Sequence, residues 1–246
     1  MRRRSAPGRI PDRLNTPAHV LALDEAALDH VEEHGGPGLL WFWESDTPWV
    51  VVGYGQSIAR EVHVEACQRD GIPIFRRCSG GGTVVQGRGC LNYGLALPIA
   101  ADPELESITG ANRWIMERQR RALATLLPGA VTVEGHTDLA VDGRKFSGNA
   151  QRRKRTALLF HGTFLHHFDL PCIARWLAFP SAQPGYRSSR DHLEFVTNTH
   201  LDPARIEAAL KDVWATLDHT LSDDVHARIP ALIESRYGRA DWHASR

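Results

Sequence analysis

Between Val131 and Phe164 the chain reads as a meander of strands, and its clearest turn, Asp142-Gly143, limits the fold more than any other feature. An Asp-Gly pair between apolar alternations closes a two-residue hairpin, because both central residues of such a turn need positive φ. A loop of that length sets the register: Val141 opposes Arg144, Ala140 opposes Lys145, Leu139 opposes Phe146 and Asp138 opposes Ser147. Leu139, Val141 and Phe146 then share the core face, while Asp138, Ala140, Lys145 and Ser147 line the other. That second face offers a carboxylate, an ammonium and a hydroxyl, which suits either a small active surface or a solvated face with an ordinary Lys–Asp pair.

The rest of the pattern alternates between helical and strand periods. Val20, Leu21, Leu23, Ala27, Leu28 and Val31 recur at helical spacing from Pro17 to Glu33, and Gly35-Gly36 stops that helix. Leu39 to Trp43 and Trp49 to Val52 read as buried strands, and a helix follows from about Val62 to Arg69. Ile72 to Phe75, Thr83 to Val85 and Leu91 to Leu97 are further strands, Asn112 to Leu127 is a helix, and helices return after Asp169. The expected class is α+β, a mixed or antiparallel sheet flanked by helices. No Pro-rich or Gly/Ser-rich linker interrupts residues 17–246, so one catalytic domain is expected there, with residues 1–16 as a flexible extension.

Charge narrows the choice of partners. Among 246 residues, Lys+Arg and Asp+Glu balance at 29 each, which argues against nucleic acid or an anionic membrane as the main partner. Met1-Arg2-Arg3-Arg4 precedes no apolar h-region and no long apolar run exists, so a cytoplasmic protein is expected. Cys67, Cys78, Cys90 and Cys172 show no metal or redox spacing. The histidines lack H-E-x-x-H, and His166-His167 would point to opposite faces of a strand, so surface and core histidines are expected rather than a metal centre.

Two further constellations could carry chemistry. Arg76-Arg77-Cys78-Ser79-Gly80-Gly81-Gly82-Thr83 places three glycines after a strand, where backbone N–H groups can approach an anion. The β-branched residues that follow disfavour a P-loop, and the glycines alone would also suit a flexible hairpin loop. His161-Gly162-Thr163 breaks an apolar strand, and a glycine there marks close approach of a backbone or ligand. His161 taken alone is an ordinary core histidine.

Together these segments resemble the biotin/lipoate protein ligase family, in its lipoate–protein ligase branch. Leu23-Asp24-Glu25-Ala26 looks like its first-helix signature, and Val51 to Gln56 resembles its second-strand segment. Arg76 to Thr83, Leu91-Asn92-Tyr93, Thr137-Asp138, Gly143 to Gln151 and His161-Gly162-Thr163 are similar to its later motifs, in the same order. The resemblance implies a catalytic core akin to class II aminoacyl-tRNA synthetases. It also implies an ATP-dependent activity: lipoate or octanoate becomes an acyl-adenylate, and the acyl group passes to a lysine of a lipoyl domain.

By the same resemblance Lys145 is the catalytic residue. Arg76, Arg77, Ser79, Gly80, Gly81, Gly82, Thr83, His161, Gly162 and Thr163 are expected to bind the acyl group, and Asp138, Lys145, Ser147, Gly148 and Asn92 the nucleotide. Asp138 is also the expected position for Mg²⁺. The implied partners are lipoyl domains of 2-oxoacid dehydrogenase E2 subunits or the glycine cleavage H protein, and acyl carrier protein if the acyl donor is a carrier. Larger ligases of the family add a C-terminal domain; none is expected here, and either a separate partner supplies it or the Gln183 to His192 loop, with Arg187 and Arg190, covers the nucleotide instead. A related branch transfers octanoyl groups through a cysteine thioester. Neither Glu134 to Thr137 nor Pro180 to Ala182, where that cysteine is expected, contains one, so ligase chemistry is favoured over octanoyl transfer and over a non-catalytic lipoyl-domain binder.

Overall fold

A computed structural model describes residues 9–11 and 16–245. In chain order the elements are α1 (Pro17–His34), β1 (Leu39–Trp43), β2 (Trp49–Val52), α2 (Ile58–Glu61), α3 (Val64–Asp70), β3 (Ile74–Arg76), β4 (Val84–Gln86), β5 (Cys90–Pro98) and α4 (Ile108–Ala124). There follow β6 (Val131–Glu134), β7 (Asp138–Val141), β8 (Arg144–Arg153), β9 (Ala157–Leu165), α5 (Pro171–Trp176), α6 (His192–Phe195), α7 (Pro203–Val213), α8 (Asp223–Leu232) and α9 (Ala240–His243). The α+β class expected from the periodicities is the one observed. Within the expected N-terminal extension, Ile10 is buried and its N–H donates to the Phe42 carbonyl, so residues 9–11 pack on β1. Residues 1–8 and 12–15 lie outside the described residues.

Six strands form an antiparallel sheet in the order β1-β5-β9-β8-β7-β6. A smaller mixed sheet has the order β3-β2-β4, with β2 parallel to β3 and antiparallel to β4. Side chains alternate across a strand, and β1 shows what this does. Leu40 and Phe42 enter a core cluster with Ile115 of α4 and Leu210 of α7, while Leu39, Trp41 and Trp43 enter a second cluster with Leu23 and Ala27 of α1 and Val225 of α8. Because both faces are covered, β1 has no polar residue to alternate with and reads as the unbroken run LLWFW.

Helix ends follow their caps. The Thr16 hydroxyl accepts from the His19 N–H, Pro17 opens the helix and Gly35 ends α1 at φ 68°. The Asp142-Gly143 turn has the two positive φ values, 50° and 75°, that its sequence requires.

The register of that hairpin departs from expectation at the third pair from the turn. Val141 opposes Arg144 and Ala140 opposes Lys145, but Leu139 opposes Ser147 and Asp138 opposes Gly148. A β-bulge inserts the extra residue, and every side chain after it changes face. Ser147 is thereby buried on the α4 side of the sheet, where its hydroxyl accepts from Asn149 Nδ2 at 3.1 Å. Among the described residues no helix is long and apolar enough to cross a membrane.

Gly94 is where the large core ring of β1 crosses β5. A Cβ built there would lie 2.1 Å from the fully buried Trp41 ring, whereas one at Gly55 would meet nothing within 4 Å. Overpacking of this kind costs about 1–3 kcal/mol. Gly94→Ala should therefore lower the midpoint of urea unfolding markedly and Gly55→Ala should not, with equal midpoints counting against the packing described.

Candidate active site

The glycine-rich loop runs from the end of β3 to the start of β4 and is pinned onto the segment after β2. The Arg77 N–H donates to the Val52 carbonyl at 3.1 Å and the Tyr54 N–H to the Ser79 carbonyl at 2.8 Å. Gly53 must be glycine for this to happen, since a Cβ there would sit 2.1 Å from the Gly81 carbonyl oxygen. The two arginines at the loop entrance point inward. The buried Arg77 guanidinium donates to Ser79 Oγ (3.0 Å), the Gly80 carbonyl (2.6 Å) and the Gly82 carbonyl (2.8 Å). Burial lowers its pKa to about 10, which leaves it charged at neutral pH. Arg76, fully buried, holds the carbonyls of Gly53, Tyr54, Gln56 and His243. Both guanidiniums are thus committed to shaping the loop, while the N–H groups of Gly80, Gly81 and Gly82 donate to no acceptor among the described residues. The Thr83 hydroxyl, at the foot of the loop, is buried without a partner.

The loop lies on the large sheet at β8 and β9. A Cβ at Gly81 would be 3.4 Å from Ala150 Cβ, Arg152 Nη1 donates to the Cys78 carbonyl at 2.8 Å, and Ser79 Oγ lies 2.6 Å from His161 Nε2. Asp24 of α1 closes the series, its Oδ2 2.5 Å from His161 Nδ1. Thr163 faces the same side as His161, linked to Asn92 Oδ1 at 3.1 Å and to Gln86 Nε2 at 3.4 Å. Gly162 points the other way and vacates the space that the Asn149 side chain fills, a built Cβ coming within 1.8 Å of Asn149 Oδ1.

Lys145 stands beside this loop. Its Nζ is 2.7 Å from Asp138 Oδ1, with the lysine side chain 27% and the aspartate 13% exposed. A Cβ at Gly148 would collide with Nζ at 2.8 Å, so glycine there is what lets the ammonium lie across the strand. Gly148 and Ala150 are two residues apart on β8, which separates Lys145 from the glycine loop by roughly 7 Å along one face. Tyr186 donates its O–H to Asp138 Oδ2 at 2.8 Å. Burial and the Asp138 carboxylate push the phenol pKa well up, so it stays a donor.

The structure therefore gathers Lys145, Asp138, Gly148, the loop from Ser79 to Thr83, His161, Thr163 and Asn92 at one face. Ser147 is turned away by the bulge, and Arg76 is enclosed beneath the loop. The loop expected to present Arg187 and Arg190 reaches the hairpin through Tyr186 instead. Arg187 lies between the Phe179 and Phe195 rings, 4.8 and 4.7 Å from their centroids, and Arg190 caps the Gly143 and Tyr186 carbonyls. Asp24, Arg152 and Tyr186 belong to the site without having been singled out for it. Asp24 carried a signal, an acid four residues from both Val20 and Leu28 in an apolar helical stripe; the other two carried none.

The lipoyl protein ligase A/B catalytic domain matches residues 16–209. The chain belongs to that family. It is 30% identical to a probable lipoate-protein ligase A of Mycoplasma pneumoniae over 66% of this chain, and spans only 46% of that relative's length. It is 25% identical to the octanoyltransferase LipM of Geobacillus kaustophilus, covering 94% of this chain and 95% of the relative. Among solved structures it resembles a bi-partite lipoate protein ligase from Thermoplasma acidophilum, described with its E2 lipoyl domain, at TM-score 0.79 and 22% identity over 96% of this chain and 93% of the other. A lipoate-protein ligase A bound with ATP gives TM-score 0.77 and 23% identity, with 96% of each chain covered. The likeness to these two confirms the fold expected for the family.

The four cysteines do not form a nucleophilic centre. Cys67, Cys78 and Cys90 are buried, and Cys172 is bonded to Asp169 at the start of α5. Burial pushes the Cys78 thiol up to about 12, Cys172 likewise to about 12, and Cys67 and Cys90 upward too. A thiol with a pKa near 12 is thiolate to only about one part in 10⁵ at pH 7. Native protein should thus take up almost no iodoacetamide at pH 7 by intact mass, and all four equivalents in urea; rapid native alkylation of one cysteine would contradict the assignment.

Proposed function

We propose that this chain is a lipoate–protein ligase: it activates lipoate or octanoate with ATP to the acyl-adenylate and transfers the acyl group to a lipoyl-domain lysine. The observation that carries this reading is the Lys145–Asp138 pair laid across Gly148, on the strand that the glycine loop packs against at Ala150. Adenylation brings a carboxylate oxygen onto the α-phosphorus, forming an O–P bond as pyrophosphate leaves. Two anions must meet, so a fixed cation and oriented donors at their junction lower the barrier directly. In the second half-reaction the target lysine amine attacks the acyl carbonyl and AMP departs. Asp138 holds the ammonium in place before substrate arrives, and Tyr186 in turn holds Asp138.

Mg²⁺ fits this scheme as a passenger of the nucleotide. It is commonly held by one or two carboxylates together with substrate phosphates and water, and here one carboxylate, Asp138, is shared with Lys145 and Tyr186. The E2 lipoyl domain named with the Thermoplasma structure supports a lipoyl domain as acceptor, whether of a 2-oxoacid dehydrogenase or of an H protein. The ATP-bound neighbour supports ATP as co-substrate.

End-to-end alignment with an octanoyltransferase favours a second reading, acyl transfer from an acyl carrier protein. Transfer through a thioester needs a reactive thiol beside Lys145, and neither the buried Cys67, Cys78 and Cys90 nor Cys172, whose pKa is pushed up to about 12, supports one.

The two readings separate by mass spectrometry of an apo lipoyl domain incubated with this protein and either lipoate plus Mg-ATP or octanoyl-acyl carrier protein alone. A lipoyl mass shift only with ATP is expected; a shift only from the carrier would replace the ligase reading. Lys145→Ala should lower the ATP-dependent rate by about 10²–10³, the range found when a charge-stabilising donor is removed, with the thermal midpoint little changed. Retained activity would remove Lys145 from the mechanism.

A further inference from the structure

Where α8 packs on α1, three donor atoms converge. His30 and His34 stand one turn apart on α1, so their rings share a face, with centroids 4.9 Å apart. Asp224, in the first turn of α8, comes within reach of both: its Oδ2 is 2.7 Å from His30 Nδ1 and 3.8 Å from His34 Nε2. All three ligand atoms lie within 4.8 Å of one another, and among the described residues no other set of three His, Cys, Asp or Glu side chains is gathered this way. Packing fixes the backbones that carry them, since Leu28 and Val31 of α1 share a buried cluster with Val225 and Ile229 of α8. Zinc held tetrahedrally at about 2.0–2.2 Å by nitrogen and carboxylate oxygen sets its ligand atoms roughly 3.3 Å apart. The two oxygen–nitrogen separations, 2.7 and 3.8 Å, bracket that value, and the side chains of His34 and Asp224, 54% and 45% exposed, have room to adjust.

Charge at the site also suits a cation. The Arg228 guanidinium pairs with both oxygens of Glu33, at 3.0 and 2.8 Å, and its Nε donates to Asp224 Oδ2 at 2.9 Å. Two carboxylates facing one guanidinium leave a negative charge beside the two imidazoles. Hydrogen bonds from Arg228 and His30 hold the Asp224 carboxyl below its usual pKa, so it is ionised wherever the histidines are neutral. We propose that His30, His34 and Asp224 bind a transition-metal dication of the zinc class, with water in the fourth position. Imidazole ligands select against Mg²⁺ and Ca²⁺, which take oxygen, so the site is distinct from any Mg²⁺ carried by a nucleotide. The ion replaces the proton between His30 Nδ1 and Asp224, and the imidazole turns to its Nε2–H tautomer. His30-Val31-Glu32-Glu33-His34 has the His-x-x-Glu-His order, with the two histidines spaced as on a zinc-peptidase helix. Glu33 is engaged by Arg228 instead of being left as a base, so the geometry supports ion binding and not hydrolysis. The ion adds a second tie between α1 and the C-terminal helices, beside the Tyr237–Glu25 hydrogen bond.

The test uses the full chain without an affinity tag, stripped with chelator and titrated with Zn²⁺ by calorimetry. One equivalent should bind, raise the thermal midpoint and resist displacement by excess Mg²⁺. Co²⁺ in its place should give the visible d–d band of a tetrahedral nitrogen–oxygen site. His30→Ala, His34→Ala and Asp224→Asn should each weaken Zn²⁺ binding by about tenfold or more, since loss of even an outer-shell partner costs that much. Each should also lose the Co²⁺ band, with its metal-free thermal midpoint reporting that the fold is kept. His200→Ala, at an exposed histidine elsewhere, should change neither. A wild-type chain with no saturable Zn²⁺ binding overturns the proposal, as does binding that keeps full strength in any of the three variants. Binding is read without substrate, so the presence or absence of ATP-dependent ligation bears on the ligase reading alone.

Discussion

The contact on which the rest of the site depends is the glycine loop lying directly on the backbone after β2. It requires glycine at position 53, and it brings carbonyl groups of the loop inward, where they need donors. Arg77 supplies them from within, its guanidinium reaching the Gly80 and Gly82 carbonyls. A buried cation surrounded by carbonyl dipoles is a rigid assembly, because moving any member leaves a charge or a carbonyl without a partner. The rigidity matters for the chemistry proposed for the site, since oriented groups act on developing negative charge only if they need not reorganise.

The two layers of the core serve different ends. On the α4 and α7 side the large sheet packs with aromatic and aliphatic side chains, and among the polar groups there the Tyr93 O–H donates to Asn149 Oδ1 at 2.5 Å while Asn149 Nδ2 donates to Ser147 Oγ. On the α1 side the same packing admits Asp24 and Glu25. Glu25 accepts from Tyr237 at 2.6 Å and pairs with Arg236, which ties the C-terminal helices to α1. Asp24 turns instead toward His161. Adjacent acids of one helix thus divide between holding the fold and holding the site.

The fold was legible wherever a local rule had no competitor. The Asp142-Gly143 turn, the capped α1 and the doubly buried β1 all follow from sequence, and so does the pairing of Ala140 with Lys145. The bulge did not, because nothing in Lys145-Phe146-Ser147 announces an extra residue. An uninterrupted register placed Ser147 beside Lys145, whereas the structure places Gly148 there. Lys145, Asp138 and the glycine loop stood out from turn register and glycine spacing, the resemblance supplied their expected roles, and the structure places them at one face. What arginines do was least legible, since charge at a loop entrance suggests ligand binding and only three-dimensional packing reveals that Arg76 and Arg77 face inward. Tyr186 was hidden for a similar reason: it comes from a loop without periodicity, and its link to Asp138 spans 48 positions of sequence.

At the outer margin of the large sheet, β1 has no seventh strand beside it among the described residues, yet its backbone is not left open. The Ile10 N–H reaches the Phe42 carbonyl, and Leu40 donates to the Asp218 carbonyl while Asp218 donates to that of Gly38. Segments around Ile10 and Asp218, far apart in sequence, therefore occupy hydrogen-bonding positions that another molecule could otherwise use. Since β1 is wholly apolar, an uncovered margin there would be a template for strand addition. Contacts far from the site's chemistry thus cover the strand margin most open to strand addition.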